Sequence, residues 1–292
     1  MNSKIKFVFF GGEPLAVPVL NKLKEADLVP EIIVCNPDRP TGRDQVITKP
    51  PAKVWAEAEG IKVFQPTTYK DESAREFLSQ TDWDVFVVVA YNFILPKWLL
   101  EIPKRGVVNV HPSLLPRLRG SSPIRTAILN NLPEEVGVTI MLLDEEMDHG
   151  PTLEQEQLYL TKETWPMSGP DLDKKLAKLG GKLLAETLPA WVSDELSPQE
   201  QEHEQASYCG KLKKSDSELS LDPLKLPGGP AALKAWHAIN AFAGIGDTYF
   251  IYNGKRIKIK TAELSTSGSL KILRVVPEGK KEVDFEDYLR TL

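Results

Sequence analysis

Asp84-Val85-Phe86-Val87-Val88-Val89-Ala90 is the longest uninterrupted apolar run near the middle of this chain. A strand with one wet face alternates apolar and polar residues. A run with no polar break belongs to a strand covered on both faces, as in a parallel sheet between two helix layers. Parallel strands need crossovers, and helical stretches alternate with further apolar runs here. Residues 4 to 10 read as a first strand, with Val17 to Leu23 as a helix. Ile32-Ile33-Val34 and Lys62-Val63-Phe64 read as strands, and residues 52–59, 72–78 and 123–130 as helices. Glu154 to Leu160 reads as a further strand, and Asp171 to Leu188 as an amphipathic helix with Leu172, Leu176, Leu179 and Leu183 on one stripe. The pattern predicts an α/β fold with a Rossmann-like, doubly wound, mostly parallel sheet. No GxGxxG or Walker spacing follows the first strand, which excludes a dinucleotide site of that kind.

In an open α/β sheet, sites form at the carboxyl ends of strands. The apolar run Gly106-Val107-Val108 ends in Asn109-Val110-His111, followed by Pro112-Ser113-Leu114-Leu115-Pro116-Arg117-Leu118-Arg119-Gly120. Residues i and i+2 of a strand share a face, so Asn109 and His111 emerge side by side above a proline-stiffened loop. A second apolar run, Val138 to Leu143, ends in Asp144-Glu145-Glu146-Met147-Asp148-His149-Gly150. An amide donor beside an imidazole and a carboxylate is a set suited to acyl transfer. The competing reading is a strand-end histidine held by its neighbours; with only four His in the chain, the second polar cluster favours chemistry. His149 is read as a loop residue. Tyr91-Asn92-Phe93-Ile94-Leu95-Pro96 follows the run at Ala90, an apolar loop placed to line a pocket for a flat ring.

Net charge is -5, which argues against a protein that coats nucleic acid, but the charge is unevenly spread. Residues 207–292 hold 14 Lys+Arg against 10 Asp+Glu, leaving 22 against 31 in the rest. A basic tail on an acidic body is compatible with phosphate contact. Arg39, Arg43 and Lys49 lie in a long turn-rich stretch, either a solvated loop or a basic finger for a large anionic substrate. Residues 193–206 are polar and read as a linker. Beyond them come a helix from Leu233 to Ala241 and a hairpin with Asn253-Gly254 at its turn. A strand from Leu270 to Val276 and a last helical turn from Phe285 to Leu289 close a small β-rich module. Two distant cysteines, Cys35 and Cys209, have no metal or redox spacing and point to a reducing compartment. No apolar segment has the length of a membrane span.

These motifs closely resemble the methionyl-tRNA formyltransferases, within the folate-dependent formyltransferases. The resemblance runs through Phe9-Phe10-Gly11 with Ala16 to Leu20, Pro37-Asp38-Arg39-Pro40-Thr41-Gly42-Arg43, and Val88 to Tyr91 with Ile94-Leu95-Pro96. It continues from Asn109 through Pro123, then Gly137 to Met141 and Met147-Asp148-His149-Gly150. It implies a catalytic domain over residues 1–192, a linker over 193–206, and a tRNA-contacting, OB-like C-terminal domain over 207–292. It implies transfer of a formyl group from 10-formyltetrahydrofolate to the α-amino group of initiator methionyl-tRNA, with no metal. Asn109, His111 and Asp148 would carry the chemistry. Ser113, Leu114, Leu115, Pro116, Tyr91, Asn92, Ile94 and Leu95 would hold the folate, and Arg39, Arg43 and Lys49 the tRNA. A cytoplasmic monomer with no protein or membrane partner is expected. Gly12-Glu13-Pro14, Asn92 and Ala243 to Gly246 depart from the family's pattern, and the C-terminal part is shorter than its usual barrel. Two other readings stand beside this one: a formyltransferase of a small amine such as an amino sugar nucleotide, and an RNA-binding protein that retains the fold without the reaction.

Overall fold

A computed structural model describes residues 4–42 and 44–292. In chain order its elements are β1 (Phe7–Phe10), α1 (Ala16–Glu25), β2 (Ile32–Val34), β3 (Arg39–Thr41), β4 (Val46–Thr48), α2 (Pro51–Ala58) and β5 (Lys62–Phe64). There follow α3 (Ser73–Leu78), β6 (Val85–Val88), α4 (Lys97–Leu100), β7 (Val107–His111), α5 (Pro123–Leu129), β8 (Gly137–Leu142) and β9 (Thr152–Gln157). The last are α6 (Gly169–Val192), α7 (Gly229–Phe242), β10 (Tyr249–Tyr252), β11 (Lys255–Leu264), β12 (Leu270–Pro277), β13 (Val283–Asp284) and α8 (Phe285–Leu289). The fold divides into two compact units. One comprises residues 1–119, 137–158 and 174–208, and the other 120–136, 159–173 and 209–292.

Seven strands of the first unit form one sheet in the order β9-β8-β7-β6-β1-β2-β5. The five from β7 to β5 are parallel, and their apolar runs are buried: every residue of β1, β2 and β6 is inaccessible or nearly so. The two remaining strands reverse direction, so β8 runs antiparallel to β7 and β9 antiparallel to β8. The strand expected over Glu154 to Leu160 is therefore the antiparallel edge of a mixed sheet. An edge strand needs only one covered face, which explains its polar sequence Thr-Leu-Glu-Gln-Glu-Gln. The order changes direction at β1, which has β2 on one side and β6 on the other; ligands bind open α/β sheets outside such a point.

The basic stretch after β2 is not a loop throughout. Arg39–Thr41 and Val46–Thr48 pair as an antiparallel hairpin, all six residues exposed, with Val46 and Ile47 each more than 60% accessible. The polar stretch 193–206 runs along the first unit: Gln199 pairs with Thr152 through two 2.8 Å backbone hydrogen bonds, and Gln201 is buried. In the second unit β10 to β13 form a four-stranded antiparallel meander, the small β-rich module expected from the sequence. The turn between β10 and β11 has Asn253 and Gly254 both at positive φ, 49° and 72°, as a two-residue hairpin turn requires. Ala232, Ala235 and Ile239 of α7 pack with Phe250, Ile257, Ile259, Ile272 and Val275 to form its core.

Candidate active site

Val108 and Val110 are buried on one face of β7, while Val107, Asn109 and His111 share the other, with Asn109 and His111 toward the strand's carboxyl end. His111 is 4% exposed. Its Nε2 lies 3.1 Å from the Leu118 carbonyl oxygen, which can only accept, so Nε2 carries the hydrogen and donates it. Its Nδ1 faces Asp148 Oδ1 at 3.5 Å. The imidazole and the carboxylate, 37 positions apart in the chain by their numbers, are thus brought together within the first unit. A proton arriving at Nδ1 meets a carboxylate. Both residues that flank the ring have left-handed backbone, Leu118 with φ 59° and Asp148 with φ 52°. Non-glycine residues adopt that region at a cost of order 1–3 kcal/mol, and such strain gathers at functional sites.

The loop after His111 is pinned from β8 and β9. Thr139, opposite His111 in the β7–β8 register, is fully buried. Its Oγ1 donates to the Ser113 carbonyl at 2.7 Å and accepts from Leu115 N at 3.1 Å and Gln155 Nε2 at 2.8 Å. Gln155 Nε2 also reaches the Leu115 carbonyl at 2.8 Å. Ser113 and Leu115 are buried, and the Ser113 hydroxyl donates to the Arg117 carbonyl at 2.6 Å; Leu114 and Pro116 are half-buried. Neither Thr139 nor Gln155 stands out in the sequence, since a threonine inside an apolar run and a glutamine on an edge strand are ordinary.

The loop after β6 turns through Ala90 at φ 48°. The Tyr91 hydroxyl shares a 2.7 Å hydrogen bond with that of Tyr69, and burial pushes the Tyr91 phenol up to about 12. Asn92 Nδ2 donates to Glu13 Oε1 at 2.5 Å, while Ile94 is 87% exposed and Leu95 half-buried. Beyond this loop a cleft of about 530 Å³ is lined by Lys97, Leu100, Glu101, Leu143, Asp144, Glu145 and Glu146, with Lys97 paired to Glu145 at 2.6 Å. Leu100 and Leu143 give this lining apolar surface, and its carboxylates can accept from the N–H groups of a heterocycle. His149 Nδ1 is 2.7 Å from Asp144 Oδ2, and its ring stacks on His203 at 4.2 Å, a structural position beside Asp148.

Of the three basic residues, Arg39 and Lys49 are exposed at the hairpin and its exit, and Arg43 lies outside the described residues. Lys49 pairs with Glu57 at 2.7 Å, which raises its ammonium pKa. The base of the hairpin is fixed at Asp38. Hydrogen bonds from Gln65 and then from Lys53 hold its carboxyl below the usual carboxylate range. Among the described residues no group of three His, Cys, Asp or Glu could hold a metal ion, and no helix is long and apolar enough to cross a membrane.

The sequence places this chain among the formyl-transfer proteins. The sequence matches the formyl transferase family over residues 3–188. It is 42% identical over 259 residues to the methionyl-tRNA formyltransferase of Synechococcus sp. (strain JA-3-3Ab), covering 87% of this chain and 76% of that one. It is 35% identical over 308 residues to the methionyl-tRNA formyltransferase of Geobacillus sp. (strain WCH70), covering 98% and 94%. The chain belongs to the methionyl-tRNA formyltransferase family. Among solved structures, a methionyl-tRNA formyltransferase from Clostridium thermocellum superposes with a TM-score of 0.58 at 15% identity, covering 96% of this chain and 99% of that one. A sugar 3N-formyl transferase superposes with a TM-score of 0.64 at 21% identity, covering 96% and 100%. At these identities both likenesses speak for the fold.

Proposed function

We propose that the protein transfers the formyl group of 10-formyltetrahydrofolate to the α-amino group of initiator methionyl-tRNA in the cytoplasm. One observation carries the reading: His111 and Asp148 meet at the carboxyl end of β7, next to Asn109, in a chain whose relatives carry that name. The folate, as substrate, supplies the formyl carbon. Asn109 donates to the oxyanion that develops when the amine adds to that carbon, with His111 beside it. His111 and Asp148 together hold the proton released by the amine until the folate nitrogen takes it up as the old C–N bond breaks. Tyr91, Asn92, Ile94 and Leu95, the loop from Ser113 to Pro116 and the segment before Asp148 hold the folate. Arg39, Arg43 and Lys49 receive the acceptor end of the tRNA. Residues 1–192 act as the catalytic domain, and residues 207–292 give added grip on RNA.

The test is formylation of methionyl-tRNA by the purified protein, run beside an amino sugar nucleotide as a rival acceptor. Asn109→Ala should lower kcat by about 10²–10³, the range for loss of one oxyanion donor. Asp148→Asn should lower it by a factor in the general acid–base range of about 10²–10⁴. Arg39→Ala and Arg43→Ala should raise KM for tRNA and leave KM for folate within about twofold, as expected of phosphate contacts remote from the folate. Preferred use of the amino sugar, or equal loss toward both substrates in the arginine variants, would overturn the assignment.

A further inference from the structure

We propose that Gln201 is a positioning residue for the reaction: one buried carboxamide that ties the backbone of the Asp148 loop to the guanidinium of Arg119, so joining the two segments that flank His111. This rests on the roles proposed above for His111 and Asp148. Gln201 lies in the polar stretch after α6, yet it is only 6% exposed. Its Nε2 donates to two main-chain carbonyls of the Asp148 loop, Asp148 O at 3.0 Å and Gly150 O at 2.6 Å. Its Oε1 accepts from Arg119 Nε at 3.1 Å and Arg119 Nη2 at 2.6 Å. Both amide hydrogens and both oxygen lone pairs are then used, so this carboxamide is saturated.

The two segments it joins are those that set the state of His111. Asp148 faces Nδ1, and Leu118, the residue before Arg119, offers the carbonyl that receives the Nε2 hydrogen. Both Leu118 and Asp148 sit at positive φ, a conformation that persists only where the surroundings over-determine it. Gln201 supplies part of that constraint, and its chain neighbours supply more. Leu118 N donates to Ser207 Oγ at 2.9 Å, Arg119 N to the Ser207 carbonyl at 2.8 Å, and Arg117 Nη1 to the Gln205 carbonyl at 3.0 Å. Arg119 is 1% exposed and also meets His203 Nδ1 at 2.9 Å. A segment that resembles a linker in composition thus braces both sides of the reacting imidazole. Gln201 acts through the Asp148 loop's backbone and the Arg119 side chain.

The experiment uses the full chain with Gln201→Glu, Gln201→Met and, as a control, Gln199→Ala, whose side chain is exposed and donates to the Ser197 carbonyl at 3.3 Å. Gln201→Glu keeps an acceptor for Arg119 but replaces the donor to the Asp148 loop with an oxygen. A misplacement of about 1 Å at reacting groups can cost about 10²-fold. The expected result is a kcat lowered at least about tenfold in both Gln201 variants, with both KM values within about twofold of wild type and a pH–kcat profile of altered shape. Gln199→Ala should match wild type. A purely structural role predicts instead fewer active molecules, each with the wild-type pH profile; that result, or wild-type kcat in both variants, overturns the proposal. A second readout needs no turnover: in histidine-labelled protein, the ring signals of His111 should move in the Gln201 variants while those of His237 stay in place. Unmoved His111 signals overturn the proposal even if wild type proves inert toward methionyl-tRNA, an outcome that counts against the proposed function alone.

Discussion

Thr139 holds the loop that follows His111 without belonging to the proposed reacting set. Its hydroxyl is buried with one donor and two acceptor interactions filled, all directed at the loop that follows His111 or at Gln155, which holds the same loop. Thr139→Val keeps shape and volume but strips the Ser113 carbonyl and the Leu115 amide of their partner. A buried polar group left unmatched costs about 1–3 kcal/mol, so the thermal midpoint should fall accordingly. Because the loosened loop carries Ser113 to Pro116, proposed above to hold the folate, KM for the folate should rise more than KM for tRNA. Thermal unfolding and steady-state kinetics on one preparation check both; a variant with wild-type stability would mean that water replaces the hydroxyl. The Asn109 and His111 pair was legible in the sequence because strand alternation and the end of an apolar run together fix its position. Gln201 was not. Its burial arises from side-chain bonds to backbone oxygens far along the chain, and such bonds leave no periodic trace.

At the scale of elements, the long helix α6 is where packing reaches the site. Leu172, Leu176, Leu183, Leu184 and Leu188 bury one stripe of it, close to the stripe that helical periodicity predicts. The two glycines inside it carry a further meaning. A Cβ at Gly180 would sit 2.7 Å from Val110 Cγ1, and one at Gly181 would sit 2.9 Å from Val19 Cα on α1. In an open helix, glycine to alanine is worth about 1 kcal/mol in favour of alanine. Here overpacking at about 1–3 kcal/mol opposes it. Gly180→Ala should therefore lower the unfolding midpoint, and since Val110 lies between Asn109 and His111, kcat should fall with it; a raised midpoint would sink this packing argument. The central strands β1, β2 and β6 were legible because both faces are apolar. The hairpin β3–β4 was hidden because all six of its residues are exposed, one of them is Pro40, and nothing in it alternates.

For the whole molecule, the uneven charge becomes a statement about which substrate is gripped where. Residues 207–292 carry a net charge of +4 and the remainder -9, so the body repels a polyanion that the tail attracts. Lys211, Lys213 and Lys214 stand exposed at the start of the second unit's C-terminal segment. If the tail binds phosphates directly, replacing these three lysines by glutamine should raise KM for methionyl-tRNA while kcat and KM for the folate hold. The slope of log KM against log salt should also become shallower, by up to about 0.7–0.9 for each phosphate that a lysine no longer neutralises. Charge that acts only through the general field of the molecule would behave differently. The variant would then bind more weakly at low salt alone and converge with wild type once the Debye length shrinks to about 8 Å near physiological ionic strength. A salt series from low to physiological ionic strength separates the two, because removing a direct lysine–phosphate pair keeps KM raised at every salt concentration in it.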